Sequence, residues 1–344
     1  MKLTKPRVGL IIALFALMGL GIAWWNYSLG PLPLRKNVAN EAGGFSLAKP
    51  VPVPRTESGG TVLNGRFYLV GGLGARGQTL TSFMEFDPSK DAWRRLPDLP
   101  QPINHPGVVA AGDKIYVVGG FKPLGIRPHG VMLADWRPLD TLYVFDVREN
   151  RWSKGPPMPE PRGAGGVALS DGAIWYAGGI NQTRNISSGF FRLDLSAGTW
   201  RTMPPMPTAR DHMRLEAVGS GLYAISGRQD DLRRNLAVTE RYDIAGERWT
   251  RAADIPTARG GMATVVWGNS IYAFGGEYPW TCLDEVDRYD VENDKWEVLG
   301  PLPEARHGIV AGAMDDGIHL VSGGRHPRIS ISGIHRIFKP HPEK

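Results

Sequence analysis

A double glycine recurs along this chain at Gly71-Gly72, Gly119-Gly120, Gly178-Gly179, Gly275-Gly276 and Gly323-Gly324, with Ser226-Gly227 filling the gap. Successive second glycines lie 48, 59, 48, 49 and 48 residues apart. Between them, an aromatic or apolar residue precedes Asp, at Phe86-Asp87, Phe145-Asp146, Leu193-Asp194, Tyr242-Asp243 and Tyr289-Asp290. Six residues after each Asp comes Trp: Trp93, Trp152, Trp200, Trp249 and Trp296. A period near fifty dictates a repeat architecture before any other property of the chain is considered.

Each unit divides into short apolar runs of strand length. In the third unit they read GGVALS, IWYAGG, FFRLD and TWRTM. The first two runs of most units are joined through Asn64-Gly65, Gly112-Asp113, Asp171-Gly172, Gly268-Asn269 or Asp316-Gly317, pairs that tolerate positive φ and suit tight hairpins. Four antiparallel strands per unit, A to D, are expected. Such a small sheet cannot bury its own faces, so the units must pack against one another around an axis, as the blades of a β-propeller do.

The order of hydrophobic run, Gly-Gly, Tyr-Asp and Trp resembles the kelch repeat over roughly residues 45–338. The resemblance implies an all-β, six-bladed kelch propeller. It leaves function open, because one fold hosts many sites. Six glycine marks stand against five Trp marks, so the last unit lacks its D strand. The stretch FSLAKPVPVPR supplies it: Phe45 takes the Trp position and Arg55 the Arg position of WRTMPPMPTAR. The ring is therefore expected to close through an N-terminal strand, which protects the sheet edges. The organisation expected is an anchor at 1–25, a linker at 26–44, the propeller at 45–338 and a tail at 339–344.

Lys2, Lys5 and Arg7 precede eighteen uncharged residues, VGLIIALFALMGLGIAWW, and Tyr27 follows. Such a segment spans ~27 Å as a helix, close to a bilayer core. Basic residues before it and aromatics at its far end predict a signal-anchor with the propeller on the extracytoplasmic side. Cleavage after the small residues Gly21-Ile22-Ala23 is the alternative, giving a secreted protein. Cys282 is the sole cysteine, which excludes an internal disulfide and the Cys-rich metal patterns. The formal charge of +6 is spread along the chain without a basic block, so nucleic acid is not an expected partner. A monomer without cofactor or metal is expected.

In an antiparallel A-B-C-D blade, the D-to-A and B-to-C connections emerge on one face. The first set carries Arg55, Arg162, Arg210, Arg259 and Arg306, with His105, His212 and His307 close behind. The second set begins with Arg228, Glu277, Arg325 and His326. Arg55 and Arg162 read as structural. The expected ligand-binding set is Arg210, His212, Arg228, Arg259, Arg306, His307 and Arg325, with Glu277 as a candidate base, since arginine forks suit carboxylates and phosphates. Arg214 and Glu216 are expected as a buried pair facing the channel. The second unit's long B-to-C loop, FKPLGIRPHGVMLADWRPLD, is expected to form a lid or wall on the same face.

The expected function is a membrane-anchored module that binds an anionic carbohydrate or a protein segment. The layout is also similar to the bacterial kelch sialic acid mutarotases. That resemblance implies an alternative, a sugar mutarotase or epimerase, with Glu277 after Gly275-Gly276 and Arg228 or Arg259 serving the sugar. A copper oxidase of the galactose oxidase type would need a Cys-Tyr crosslink. Cys282 and Tyr278 are neighbours in sequence, but no set of Tyr and His ligands accompanies them.

Overall fold

The computed structural model describes residues 44–124 and 136–340. The expected anchor at 1–25 and nearly all of the linker lie outside the described residues, as does 125–135 within the long loop. Among the described residues, no helix is long and apolar enough to cross a membrane.

Among the described residues, twenty-six strands build six four-stranded antiparallel sheets and one small ribbon. Strand β1 (Gly44–Leu47) comes first in the chain but belongs to the last blade. Blade one holds β2 (Gly59–Leu63), β3 (Arg66–Val70), β4 (Phe83–Asp87) and β5 (Ala92–Leu96). Blade two holds β6 (Gly107–Ala111), β7 (Lys114–Val118), β10 (Leu142–Asp146) and β11 (Arg151–Lys154); β8 (Phe121–Pro123) and β9 (Trp136–Pro138) form the extra ribbon. Blade three holds β12 (Gly166–Ser170), β13 (Ala173–Ala177), β14 (Phe190–Asp194) and β15 (Thr199–Met203). Blade four holds β16 (Arg214–Val218), β17 (Gly221–Ile225), β18 (Thr239–Asp243) and β19 (Arg248–Ala252). Blade five holds β20 (Ala263–Trp267), β21 (Ser270–Phe274), β22 (Glu285–Asp290) and β23 (Lys295–Pro301). Blade six holds β24 (Val310–Met314), β25 (Gly317–Val321) and β26 (His335–Lys339), completed by β1.

The A strands β2, β6, β12, β16, β20 and β24 contact one another in a closed cycle around the axis. The repeated residues explain each blade. Asp87, Asp146, Asp194 and Asp290 accept backbone N–H bonds from residues two or three further on, which fixes the C-to-D turn. Each Trp donates its indole N–H to a carbonyl of the preceding blade: Trp93 to Lys49, Trp152 to Pro97, Trp200 to Pro156, Trp249 to Pro204 and Trp296 to Ala253. The core accordingly lies between blades, as one apolar cluster per seam.

Closure follows the expected route. Strand β1 pairs antiparallel with β26 with Phe45 opposite Phe338, their ring centroids 4.9 Å apart. The Phe45 side chain has no N–H to donate, so its seam lacks the indole bond found at the other five.

Arg214 and Glu216 do line the axial channel, a cavity of about 370 Å³, but they do not pair with each other. Arg214 donates to the Met262 and Ile309 carbonyls, and Glu216 takes the Thr264 hydroxyl at 2.5 Å. Burial pushes the Glu216 carboxyl up to about 7.

A chain starting at residue 60 loses β1, Arg55 and the start of β2. It should aggregate or melt without cooperativity, whereas residues 40–344 should give one sharp transition. Calorimetry of the two decides, and equal melting would refute closure by the N-terminal strand.

Candidate functional site

Two kinds of connection meet at one end of the axis, and they are built differently. The arginines of the D-to-A segments turn away from the opening. Arg55, Arg210, Arg259 and Arg306 are fully buried, and Arg162 nearly so. Arg210 donates to the Val238 and Ala224 carbonyls and pairs with Glu240 at 2.8 Å. Arg259 pairs with Asp287 and lies 3.5 Å from Glu285. Arg306 donates to the Ser322 carbonyl at 2.7 Å. Each guanidinium therefore latches the segment leaving one blade onto the B and C strands of the next. Burial lowers Arg210 and Arg306 to about 10, which leaves them charged at neutral pH. This corrects the sequence expectation: Arg210, Arg259 and Arg306 have no exposed surface with which to meet a ligand.

A second correction concerns Arg325. In the other blades the second glycine donates its N–H to the carbonyl at the Arg position of the next blade, as Gly227 does to Arg259 and Gly276 to Arg306. In blade six that donor is Gly323, bonded to the Arg55 carbonyl at 3.0 Å. The true mark is thus Ser322-Gly323. Gly324, bridged to His307, holds the place of Arg228 and Glu277, so Arg325 falls one residue beyond it and is exposed.

Two residues beyond the Arg position, the six blades present Glu57, His105, Ala164, His212, Gly261 and Gly308. All six have left-handed φ, between 48° and 66°. Their backbones are linked around the axis: His105 N–H donates to Glu57 O, Ala164 to His105, His212 to Ala164, Gly261 to His212 and Gly308 to Gly261, at 2.7–3.3 Å. Glycine adopts this conformation freely, whereas each non-glycine residue costs about 1 kcal/mol or more. Glu57, His105 and His212 are held there against that cost, and strain of this kind concentrates at functional sites. Gly308 makes the room: a Cβ on it would come within 2.8 Å of Glu57 Oε1.

Above this ring lies a pocket of about 430 Å³. Leu73, Phe121, Trp136 and Ile180 form one wall, so the ends of the long second-blade loop serve as wall. Asp211, Arg228, Asp230, Asp231 and Glu277 form the other. Glu57, His105 and His212 make the floor.

The charged groups are tightly interlocked. Arg228 reaches Glu277 Oε1 at 2.8 Å and Asp211 Oδ1 at 3.4 Å. Glu277 Oε2 accepts the Arg328 N–H at 2.9 Å and lies 3.5 Å from His307 Nδ1. His307 Nδ1 also meets Glu57 Oε1 at 3.1 Å, and Glu57 Oε2 faces His105 Nε2 at 3.3 Å. Burial pushes His105 down to about 3, so its ring is neutral. Burial would lower His307 too, but Glu277 and Glu57 outweigh it and hold the imidazole above its usual value. Burial would raise the Glu57 carboxyl, yet the imidazoles hold it well below its usual range; with His105 neutral, His307 is the effective counter-charge. Cys282 is buried, with its thiol 3.6 Å from the Gly324 carbonyl, and the Tyr278 ring sits against Trp280.

Of the expected site residues, Arg228, His212 and Glu277 line the pocket and His307 supports it from below. Glu57 and Asp211 were missed. Alignment on the Arg position alone brings Glu57 level with His212.

A family model described as the KLHDC2/KLHL20/DRC7 Kelch-repeats domain matches residues 39–227, and the Kelch motif matches residues 258–303. Kelch-like protein terF of Aspergillus terreus is 26% identical over 55% of this chain and 42% of its own length. Beta-scruin of Limulus polyphemus is 28% identical over 38% of this chain and 14% of its own. Kelch-like protein 40 of Mus musculus is 27% identical over 52% and 27%. The chain thus matches less than half the length of each of these relatives. The solved structure of YjhT superposes with a TM-score of 0.70 at 16% identity, covering 83% of this chain and 95% of that one. At that identity the likeness speaks for the fold alone.

Replacing Arg210 or Arg259 by Ala removes the charge partner of a buried carboxylate, Glu240 or Asp287, a loss of about 3–5 kcal/mol for a broken buried pair. Both variants should melt well below the parent protein in a thermal scan. The exposed Arg325→Ala should melt with the parent. Unchanged melting of Arg210→Ala would show that the latch carries no stability.

Proposed function

We propose, from the premise that this chain belongs to the kelch-repeat family, that it is a binding protein whose axial pocket takes one hydroxyl-rich small molecule of the carbohydrate class. The observation that carries this reading is the division of the pocket lining. An apolar wall containing Phe121 and Trp136 faces a wall of carboxylates and Arg228 across about 430 Å³, a volume typical of small-molecule sites. A sugar ring has the matching asymmetry, with an apolar C–H face and an edge of hydroxyls. Trp280, nearly half exposed next to the lining residue Pro279, extends the aromatic surface at the rim.

The lining contains five carboxylates, Glu57, Asp211, Asp230, Asp231 and Glu277, against three arginines, Arg228, Arg233 and Arg328. Hydroxyl recognition therefore replaces the anion recognition expected from an arginine ring. A binding role also fits Glu277 better than turnover does. Both of its oxygens are engaged, and Glu277 is held below its usual range: burial would raise it, but His307 and Arg228 outweigh that effect. A carboxylate stabilised in this way is a weak base.

A panel of neutral sugars and uronates tested by thermal shift and calorimetry should yield at least one neutral sugar that binds. Arg228→Ala should weaken it ~10- to 100-fold, the worth of one charge-assisted hydrogen bond. Trp136→Ala should weaken it as well, and Arg325→Ala should not. Binding confined to uronates would restore the anionic reading. Binding indifferent to both Arg228 and Trp136 would move the ligand out of this pocket.

We also infer that residues 8–25 tether the propeller on the extracytoplasmic side of a membrane, on the strength of the basic residues before the apolar run and the aromatics at its end. Protease added to intact spheroplasts should digest the propeller. Protection until the membrane is broken would reverse the orientation, and a mature N-terminus near Trp24 would replace the anchor by a cleaved signal.

A further inference from the structure

We propose that Glu57, His105 and His212 form a three-ligand site for a divalent transition-metal ion of the zinc class, with its open coordination position facing the axial pocket. One oxygen or nitrogen from each of these residues lies within 4.8 Å of the others. Bonds of about 2.0–2.2 Å to a tetrahedral ion set its ligand atoms about 3.4 Å apart. Glu57 Oε2 and His105 Nε2 already stand at 3.3 Å.

The hydrogen bonds behind the ligands fix the tautomers. Asn104 donates its amide N–H to the Thr79 hydroxyl at 2.9 Å, so its Oδ1 is the atom 2.7 Å from His105 Nδ1. The proton of His105 is therefore on Nδ1, and Nε2 turns a lone pair toward Glu57 Oε2. His212 repeats the device: its Nδ1 is bonded to Asp211 Oδ1, which leaves Nε2 as its free donor atom. In both cases the residue just before the histidine, Asn104 or Asp211, orients the ring. This is the arrangement that supports metal-bound imidazoles. The other Glu57 oxygen is held by His307 Nδ1 at 3.1 Å.

The consequence is two hydrogen-bond acceptors facing each other, a carboxylate oxygen and an imidazole lone pair, in a buried place. That contact is repulsive until a cation lies between them. Two imidazole nitrogens and one carboxylate oxygen form a ligand set that suits zinc and its neighbours in the first transition row. All three ligands occupy the left-handed position of the axial ring, where three other blades place Ala164, Gly261 and Gly308. The ring thus brings side chains from blades one, two and four to a single point. Blades three, five and six contribute none there and leave space.

The test is titration of the metal-stripped full-length protein with Zn²⁺ by calorimetry, with Co²⁺ as a spectroscopic substitute. One ion per chain should bind, and zinc should raise the melting temperature, reversibly with a chelator. Glu57→Gln, His105→Gln and His212→Gln should each reduce affinity by more than ~100-fold. Asp211→Asn, which weakens the orienting bond to His212 along with the Arg228 ion pair, should reduce it ~10- to 100-fold. His326→Ala, at an exposed site, should change nothing. The absence of saturable one-to-one binding in the micromolar range or tighter overturns the proposal, as does binding that survives all three ligand substitutions. If those variants fail to fold, the cobalt spectrum of the unaltered protein decides. Intense four-coordinate bands support the site, and the weak bands of a six-coordinate aquo ion refute it. None of these readouts requires the sugar, so the metal site and the carbohydrate reading stand or fall separately.

Discussion

Six backbone hydrogen bonds hold this ring together at its functional end. In every blade, the N–H of the second residue of the glycine mark donates to a carbonyl carried in from the neighbouring blade: Gly72 to Ile103, Gly120 to Arg162, Gly179 to Arg210, Gly227 to Arg259, Gly276 to Arg306 and Gly323 to Arg55. The backbone packed around this residue leaves no room for a side chain. A Cβ on Gly72 would lie 2.6 Å from the Thr56 carbonyl oxygen, which explains why this residue is glycine in all six blades. The bond does not depend on the buried arginine. Blade two has Ile103 where the others have Arg, and its carbonyl accepts all the same. The guanidinium latches reinforce a seam that backbone geometry has already set.

With those seams fixed, the next two residues of each connection have little freedom. The residue after the Arg position bridges the B-to-C connection, as Asp211 does with Arg228 and Gly260 with Glu277. The one after that turns left-handed and enters the axial ring. The fold therefore supplies a six-membered address system, and the chain spends different side chains at equivalent addresses. Leu73, Phe121 and Ile180 at one address make the apolar wall; Arg228 and Glu277 at the same address make the charged one. Glu57, His105 and His212 share the inner address with Ala164, Gly261 and Gly308. Chemical asymmetry comes from substitution within a nearly symmetric backbone.

Much of this was legible from the residues. The period, the four strands, the closure by Phe45 and the face bearing the connections all follow from spacing, because spacing is what a closed repeat constrains. The direction of the arginine side chains was not legible. An Arg beside an opening reads as a ligand group until its partners are known, and the acids that bury Arg210 and Arg259, Glu240 and Asp287, lie on the C strands some thirty residues downstream. Arg325 was misplaced for a different reason. The run Ser322-Gly323-Gly324 offers two glycine pairs one residue apart in register, and only the hydrogen bond to Arg55 chooses between them. Glu57 went unnoticed because its blade begins in the segment that closes the ring, where the repeat is least regular.

The same geometry explains why the axis, rather than any one blade, carries the chemistry. A blade alone brings one side chain to the centre, and a single His or Glu there would be an unremarkable polar residue. Chain segments 48 and 155 residues beyond Glu57 deliver His105 and His212 to within bonding reach of it. Only a closed ring can do so. The strand that closes the ring and the residue that opens the axial set lie ten residues apart, at Leu47 and Glu57. Loss of closure at β1 would therefore remove the site's first carboxylate from its partners at the same moment as it exposed the sheet edge, so the binding end of this propeller is tied to the integrity of its last blade.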